Sequence, residues 1–328
     1  MSNTDVLPAA ADWRSTEPGI VDRLMRGSID LHCHSGPSVM RRYFDHIEAL
    51  QEAASVGIRA LLLKDHCYPV GPVTELLNKH FGHYGVELLS GVPLNNPVGG
   101  LNIHAVDHGI RLGAKLVWMP TYCAANHVRY HAAHAEFVDQ FPKTDLLTVP
   151  PAPITVLDDS GRLKDEVLPI LDLIAEADIV LSSGHLNISE IWVLFEEAKK
   201  RGIRRMLCNH PTFIIGADVD DVRRLSEMGV YIEHSSCMFT PGNKYAFYDP
   251  QQLQELITAA GIERTILGSD LGIYDGFKLV EGLRAVIEVL LDLGYSEAEI
   301  RKLTRSNAAE LIGIDLDGEW PAISTGAR

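Results

Sequence analysis

From near residue 28 to near residue 292 the chain repeats one unit, a short apolar, β-branched run followed by an amphipathic stretch. The runs fall at 28–34, 60–66, 86–92, 114–120, 179–185, 205–210, 230–234 and 264–270. Helical periodicity follows at 45–56 (Ile47, Leu50, Ala53, Ala54) and 188–201 (Ile191, Leu194, Phe195, Ala198), and again at 250–260 and 278–293. Gly57, Gly113, Gly202, Gly229 and Gly261 stand just before the next run, where a left-handed helix cap is expected. Eight β-then-α units at a spacing of roughly 25–35 residues predict a parallel (β/α)8 barrel, an α/β fold. An open doubly wound sheet is the alternative, but no GxGxxG or P-loop follows any run.

The rhythm breaks once, where about 60 residues separate the fourth and fifth runs. This insertion, about 122–164, holds a His-rich segment at 126–140 and a hairpin around Asp158-Asp159-Ser160-Gly161. It is expected to act as a lid or subunit contact. The barrel domain is read as 28–313, after an N-terminal extension (1–27) and before a loose tail (314–328), with a last helix at 296–312 beyond the eighth unit.

Acidic residues outnumber basic ones, 44 to 29, for a net charge of −15, which argues against nucleic acid as a partner. No apolar run approaches the ~20 residues of a membrane span, and the N-terminus lacks the basic start and apolar stretch of a signal peptide. Five cysteines without a CxxC pair fit a reducing compartment, so a cytoplasmic protein is expected. The partners expected are a small-molecule substrate and, as a possible homo-oligomer, further copies of the chain.

The chemistry lies at the C-terminal ends of the runs, the face where barrel loops build active sites. The first run ends in His32-Cys33-His34, with the two histidines on one side of the strand. The fifth ends in Gly184-His185, the sixth in Asn209-His210 and the eighth in Ser269-Asp270. A lone histidine at a strand end is ordinarily a satisfied buried polar group, but five such groups at the ends of four strands are not independent. Neutral imidazoles with one carboxylate suit Zn²⁺ first, with Mn²⁺ or Fe²⁺ as alternatives, and leave positions open for water.

These motifs resemble those of the amidohydrolase superfamily of metal-dependent (β/α)8 hydrolases: DLHCH on the first strand, GH on the fifth, NH on the sixth and GSD on the eighth. The closing RSNAAELIGI is similar to that superfamily's Asn-Pro-Ala-x-x-Leu-Gly ending. The resemblance implies a metal held by His32, His34 and Asp270, with His185 and His210, and Asp270 moving the proton between water and leaving group. Binuclear members carry a carboxylated Lys or a Glu at the end of strand four, whereas this chain reads LVWMPT there. The second run ends in Lys64-Asp65-His66, which with HxH and GSD also resembles the PHP phosphoesterases. By that likeness His66 supplies a ligand, and Lys64 bridges if carboxylated or acts as an electrophile if not. Asp65 alternates away and reads as structural.

Candidate substrate contacts are Arg41 and Arg42 after the first strand, Asn95 after the third, and His127, Arg129 and Tyr130 in the insertion. His127, His131 and His134 share a helical face, more consistent with a lid lining than a second metal site. Glu233 and His234 reach the active face with neither parity fixed. Cys208 shares parity with His210 and could line the site, but with no basic partner fixed by the sequence all five cysteines are read as small core hydrophobes. The expected reaction is metal-assisted hydrolysis of a C–N or C–O bond in an amide, cyclic amide or lactone. The alternatives are decarboxylation of a small acid, phosphoester hydrolysis, and a metal-holding barrel without activity.

Overall fold

The computed structural model describes residues 19–134 and 148–317. The first 18 residues of the expected extension, part of the His-rich segment and most of the tail lie outside the described residues. Among the described residues nine short strands form: β1 (Ile29–His34), β2 (Ala60–Lys64), β3 (Glu87–Leu89), β4 (Gly91–Pro93), β5 (Leu116–Trp118), β6 (Val180–Ser182), β7 (Met206–Asn209), β8 (Tyr231–Ser235) and β9 (Thr265–Gly268). All pair in parallel, in the orders β1-β2-β3 and β4-β5-β6-β7-β8-β9. The two sheets are one ring. β3 and β4 are halves of the expected third strand, separated by Ser90, whose carbonyl accepts from Lys115 N at 2.9 Å. At the other seam Cys33 pairs in parallel with Leu271, Asp270 N donates to His32 O at 2.7 Å and His34 N to Leu271 O at 2.8 Å.

Both faces of the strands are covered, which is why they read as near-continuous apolar runs. Ile29, Leu31, Leu62, Trp118, Leu207 and Ile266 fill the barrel floor against Ala308, Ala309, Leu311 and Ile312 of the final helix. Alternate residues, such as Leu61, Val117, Leu181, Cys208 and Ile232, pack outward against the helices. The expected helices appear as His46–Ser55, Ile188–Lys200, Pro250–Ala260 and Leu279–Asp292. Asp45 caps the first, its carboxylate accepting from Ile47 N and Glu48 N at 2.8 Å each. The last helix departs from the single expected run. It is Glu297–Arg301, a π-helical turn at Lys302–Ser306, then Asn307–Ile312. Asn307 Nδ2 then donates to Ile262 O and Thr265 O at 2.6 and 2.7 Å, tying the plug to the entry of β9.

In the insertion, helix Ala125–Ala133 follows β5, and Leu157 pairs antiparallel with Leu163 across the expected turn. No helix among the described residues is long and apolar enough to cross a membrane.

His234 points outward from β8 into the strand–helix layer, buried and edge-on to Phe239, with neither ring nitrogen hydrogen-bonded among the described residues. Burial pushes its pKa from 6.5 down to about 4. Because the folded value is depressed, the unfolded chain takes up this proton first, so stability is lost as pH falls from about 6.5 towards about 4. His234→Leu is expected to remove that loss, gaining about 2 kcal/mol over the parent at pH 5. Urea unfolding at pH 7.5 and pH 5 checks it; an unchanged difference between the two pH values would refute it.

Candidate metal centre

An irregularity in β1 aims the first two ligands. Ile29 and Asp30 pair with Ala60 and Leu61, but Cys33 and His34 pair with Leu63 and Lys64, so β1 carries one extra residue. The bulge resets the alternation. Ile29 and Leu31 face the apolar floor below it, His32 and His34 face the pocket above it, and Cys33 packs outward. On β2 the alternation is unbroken, and Lys64 follows Ala60 and Leu62 inward. From β8, Glu233 enters beneath His32. Gly268 on β9 leaves the room this requires, since a Cβ there would lie 2.8 Å from the Glu233 carboxyl carbon and 3.0 Å from His32 Cβ. Asp270 turns its carboxylate inward through a left-handed backbone (φ +52°), as His210 does with φ +28°. Such conformations are strained for residues with a Cβ and concentrate at functional sites.

The inner cluster is closely connected. His32 Nδ1 donates to Glu233 Oε1 at 2.6 Å, and His34 Nδ1 donates to the Lys64 carbonyl at 3.0 Å. Glu233 Oε2 accepts from Asn209 Nδ2 at 2.8 Å, while Asn209 Oδ1 accepts from Ser182 Oγ. In the neutral rings these bonds place the proton on Nδ1 and leave both Nε2 atoms as acceptors, each 3.1 Å from Asp270 Oδ1. Asp270 Oδ2 accepts from Ser235 Oγ at 3.0 Å. Three lone-pair atoms within 4.8 Å of one another repel unless a cation lies among them. Lys64 Nζ, 2.8 Å from His32 Nε2, provides one positive charge. Two imidazoles oriented by a carboxylate and a carbonyl, with a third anionic donor, also fit a divalent transition metal.

Electrostatics agree with the donor set. Burial opposes charge on His32, but the carboxylates of Asp270 and Glu233 outweigh it and raise the ring to about 9, so near pH 7 without a metal a second proton sits on Nε2 against Asp270 Oδ1, in the place a metal cation would take. Asp270 is held well below the usual carboxylate range, its burial overcome by His32 and His34. Burial lowers the Lys64 ammonium to about 8.

A wider histidine ring surrounds the cluster. His66 lies 5.0 Å from His34 between ring centroids, and His185 lies 4.9 Å from both His210 and His127. His66 Nδ1 contacts Thr121 Oγ1 at 2.8 Å, and the Nδ1 atoms of His127 and His185 are 2.8 Å apart. Burial drives His34, His66, His127 and His185 well below the ordinary histidine value and His210 to about 4, so all are neutral near pH 7.

The sequence candidates thus divide. His32, His34, Lys64, His66, His185, His210 and Asp270 converge, and Arg42 and His127 line the same pocket of about 40 Å³. Arg41 instead lies over the Tyr274 ring, 3.3 Å from its centroid, outside that pocket. Asn95 is buried with its amide committed to His66 O, Thr121 and Cys123, so it braces the loops. Arg129 reaches back to Asn126 Oδ1, and Tyr130 stacks on His134 and meets Phe213 edge-on. Cys208 does not line the site. Leu207 and Asn209 take the inward positions of β7, and His210 reaches the pocket only because the backbone turns after the strand. Ser235 was not singled out from sequence, and Glu233 and Asn209 were placed on the active face without a role; an acidic residue inside an apolar strand was the available signal for Glu233.

No curated protein matches the chain in sequence. Solved structures match its fold. An amidohydrolase from Pseudomonas aeruginosa aligns with TM-score 0.61 at 11% identity, covering 89% of this chain and 98% of that one. The probable dipeptidase PvdM from the same organism aligns with TM-score 0.57 at 11% identity, over 89% and 96%. A metallo peptidase from Rhodobacter sphaeroides aligns with TM-score 0.53 at 12% identity, over 88% and 99%. The barrel is therefore amidohydrolase-like. A family model also matches in sequence, from residue 27 to Glu233, a span that takes in the whole inner cluster except Asp270 and its partner Ser235. Over that span, more than half of its length, the chain belongs to the family of unknown function DUF6282.

Proposed function

We propose that the protein is a metal-dependent hydrolase cleaving a C–N or C–O bond in a small polar substrate: an amide, a cyclic amide or a lactone. The observation that carries this reading is the convergence of His32 Nε2, His34 Nε2 and Asp270 Oδ1, each aimed by a buried partner. A divalent cation held by these three atoms, Zn²⁺ first and Mn²⁺ or Fe²⁺ as alternatives, supplies Lewis acidity and lowers the pKa of water toward ~7. Asp270, anchored through Oδ2 by Ser235, takes the proton from the attacking water and returns it to the leaving group. His210 and Lys64 face the same space and donate N–H to the oxygen that becomes negative in the tetrahedral state. The amidohydrolase and peptidase names of the fold neighbours accord with this chemistry.

The test is metal content per chain, on protein purified without a His-tag, together with hydrolysis of lactones, cyclic amides and N-acyl amino acids before and after chelation. Stoichiometric metal and a chelator-sensitive hydrolysis restored by Zn²⁺ or Mn²⁺ are expected. Lys64→Ala and His66→Ala then count the metals: one equivalent unchanged by both means a mononuclear centre, and two equivalents falling with either bring β2 into a binuclear one. Release of CO₂ or of phosphate without hydrolysis of any amide or lactone would replace this reading. Failure to take up any added divalent metal would end it.

A further inference from the structure

Arg42 is a buried cation with more hydrogen-bonding capacity than the protein uses. Its backbone pairs antiparallel with Ile273, joining the loop after β1 to the loop after β9. Its side chain, 3% exposed, enters the pocket beside His34, Lys64 and His66. One terminal nitrogen, Nη2, lies 3.8 Å from Asp65 Oδ2, too far for a good hydrogen bond, and 3.9 Å from Met40 Sδ. Nε and Nη1 have no hydrogen-bond partner among the described residues. Leaving donors of a charged group unpaired in a buried site is costly, and a guanidinium does not escape by losing its proton.

The surroundings indicate what would satisfy it. In a chain of net charge −15, the charged groups lining this pocket among the described residues are Arg42 and Lys64 against Asp270. The rest of the wall includes Met40, Tyr122, Phe213 and Ile214. Ile214 holds a left-handed backbone (φ +63°), a strained state for a β-branched residue, and its carbonyl accepts from Asn126 Nδ2 at 2.9 Å. The Ile214 part of the apolar wall is therefore fixed in place.

We propose that this pocket takes a substrate bearing a carboxylate beside an apolar body, and that Arg42 binds the carboxylate. The proposal rests on the hydrolase reading of the same pocket and narrows its substrate class. One guanidinium matches a planar monoanion, whereas a phosphate dianion would bring more negative charge towards Asp270.

Calorimetric titration of the metal-loaded full chain with benzoate, glutarate, benzamide and inorganic phosphate tests it. Carboxylates are expected to bind about 10- to 100-fold more tightly than the uncharged amide. Arg42→Gln should erase that preference while metal content stays at the wild-type level. Because this change leaves Asp65 buried without its cation, Arg42→Gln/Asp65→Asn serves as the second variant, and the wild-type acid-to-amide ratio stands whether or not either variant folds. Equal binding of benzoate and benzamide, a preference that survives in Arg42→Gln, or phosphate binding above both carboxylates would each overturn the proposal. Metal content, read separately, shows whether a failure belongs to the carboxylate site or to the metal centre.

Discussion

Asp270→Asn is expected to reduce bound divalent metal from about one per chain to less than a tenth, and to cut turnover by about 1,000-fold or more. The substitution keeps size and shape and can keep the Ser235 hydrogen bond, because an amide oxygen can accept where Oδ2 did. It removes the sole anion among the three converging donor atoms. Two neutral imidazoles and an amide hold a transition metal far less tightly than the same imidazoles with a carboxylate. Asp270→Asn is cleaner than His32→Ala, which would leave Glu233 Oε1 buried without its donor. Elemental analysis after dialysis, with far-UV circular dichroism as the folding control, checks it. A folded variant that retains both stoichiometric metal and full activity would refute the assignment of Asp270.

The architecture was legible because a parallel barrel requires the same local signals eight times: an apolar run, a turn at its C-terminal end and an amphipathic helix. The expected runs contain every strand except that β4 and β8 each extend one residue beyond theirs, with the third run broken only at Ser90. The ends of the runs also gave the histidines and Asp270, since only the rim of such a barrel exposes strand residues to a pocket. What could not be read is side-chain direction where both faces of a strand are apolar. His32 and His34 face the pocket through a bulge in β1 that no residue announces. His210 does so through a left-handed backbone turn that reverses the parity of β7, so Cys208, two residues before it, packs outward in the core, whereas Asp270 keeps the inward alternation of Ile266 and Gly268. Adjacent Arg41 and Arg42 diverge because the Arg42–Ile273 bridge sends one inward and leaves the other against Tyr274. Asn95 sits on the expected face, yet its hydrogen bonds turn it into a brace, which depends on loops far apart in sequence.

Glu233→Leu is expected to destabilise the fold by about 3–5 kcal/mol, the scale for removing one partner from a buried charged pair. The carboxylate is fully buried, and burial alone would raise its pKa; contact with His32 nevertheless holds it below the ordinary glutamate value, so it is ionised. Leucine leaves His32 Nδ1 and Asn209 Nδ2 as buried donors without acceptors, and takes a negative charge away from beside Lys64. Glu233→Gln separates the two roles. Its amide oxygen can still accept from His32, but its NH₂ then faces the Asn209 NH₂, whose own oxygen is engaged by Ser182. The loss for Gln should therefore be smaller, about 1–3 kcal/mol. Metal affinity should still fall about 10- to 100-fold, because a neutral acceptor leaves His32 a weaker base. Urea unfolding of metal-free protein reads the first effect and competition with a chromogenic chelator reads the second. If Glu233→Gln binds metal as tightly as the parent, Glu233 fills space and balances charge without tuning His32, and the inner cluster would consist of the three donor atoms alone.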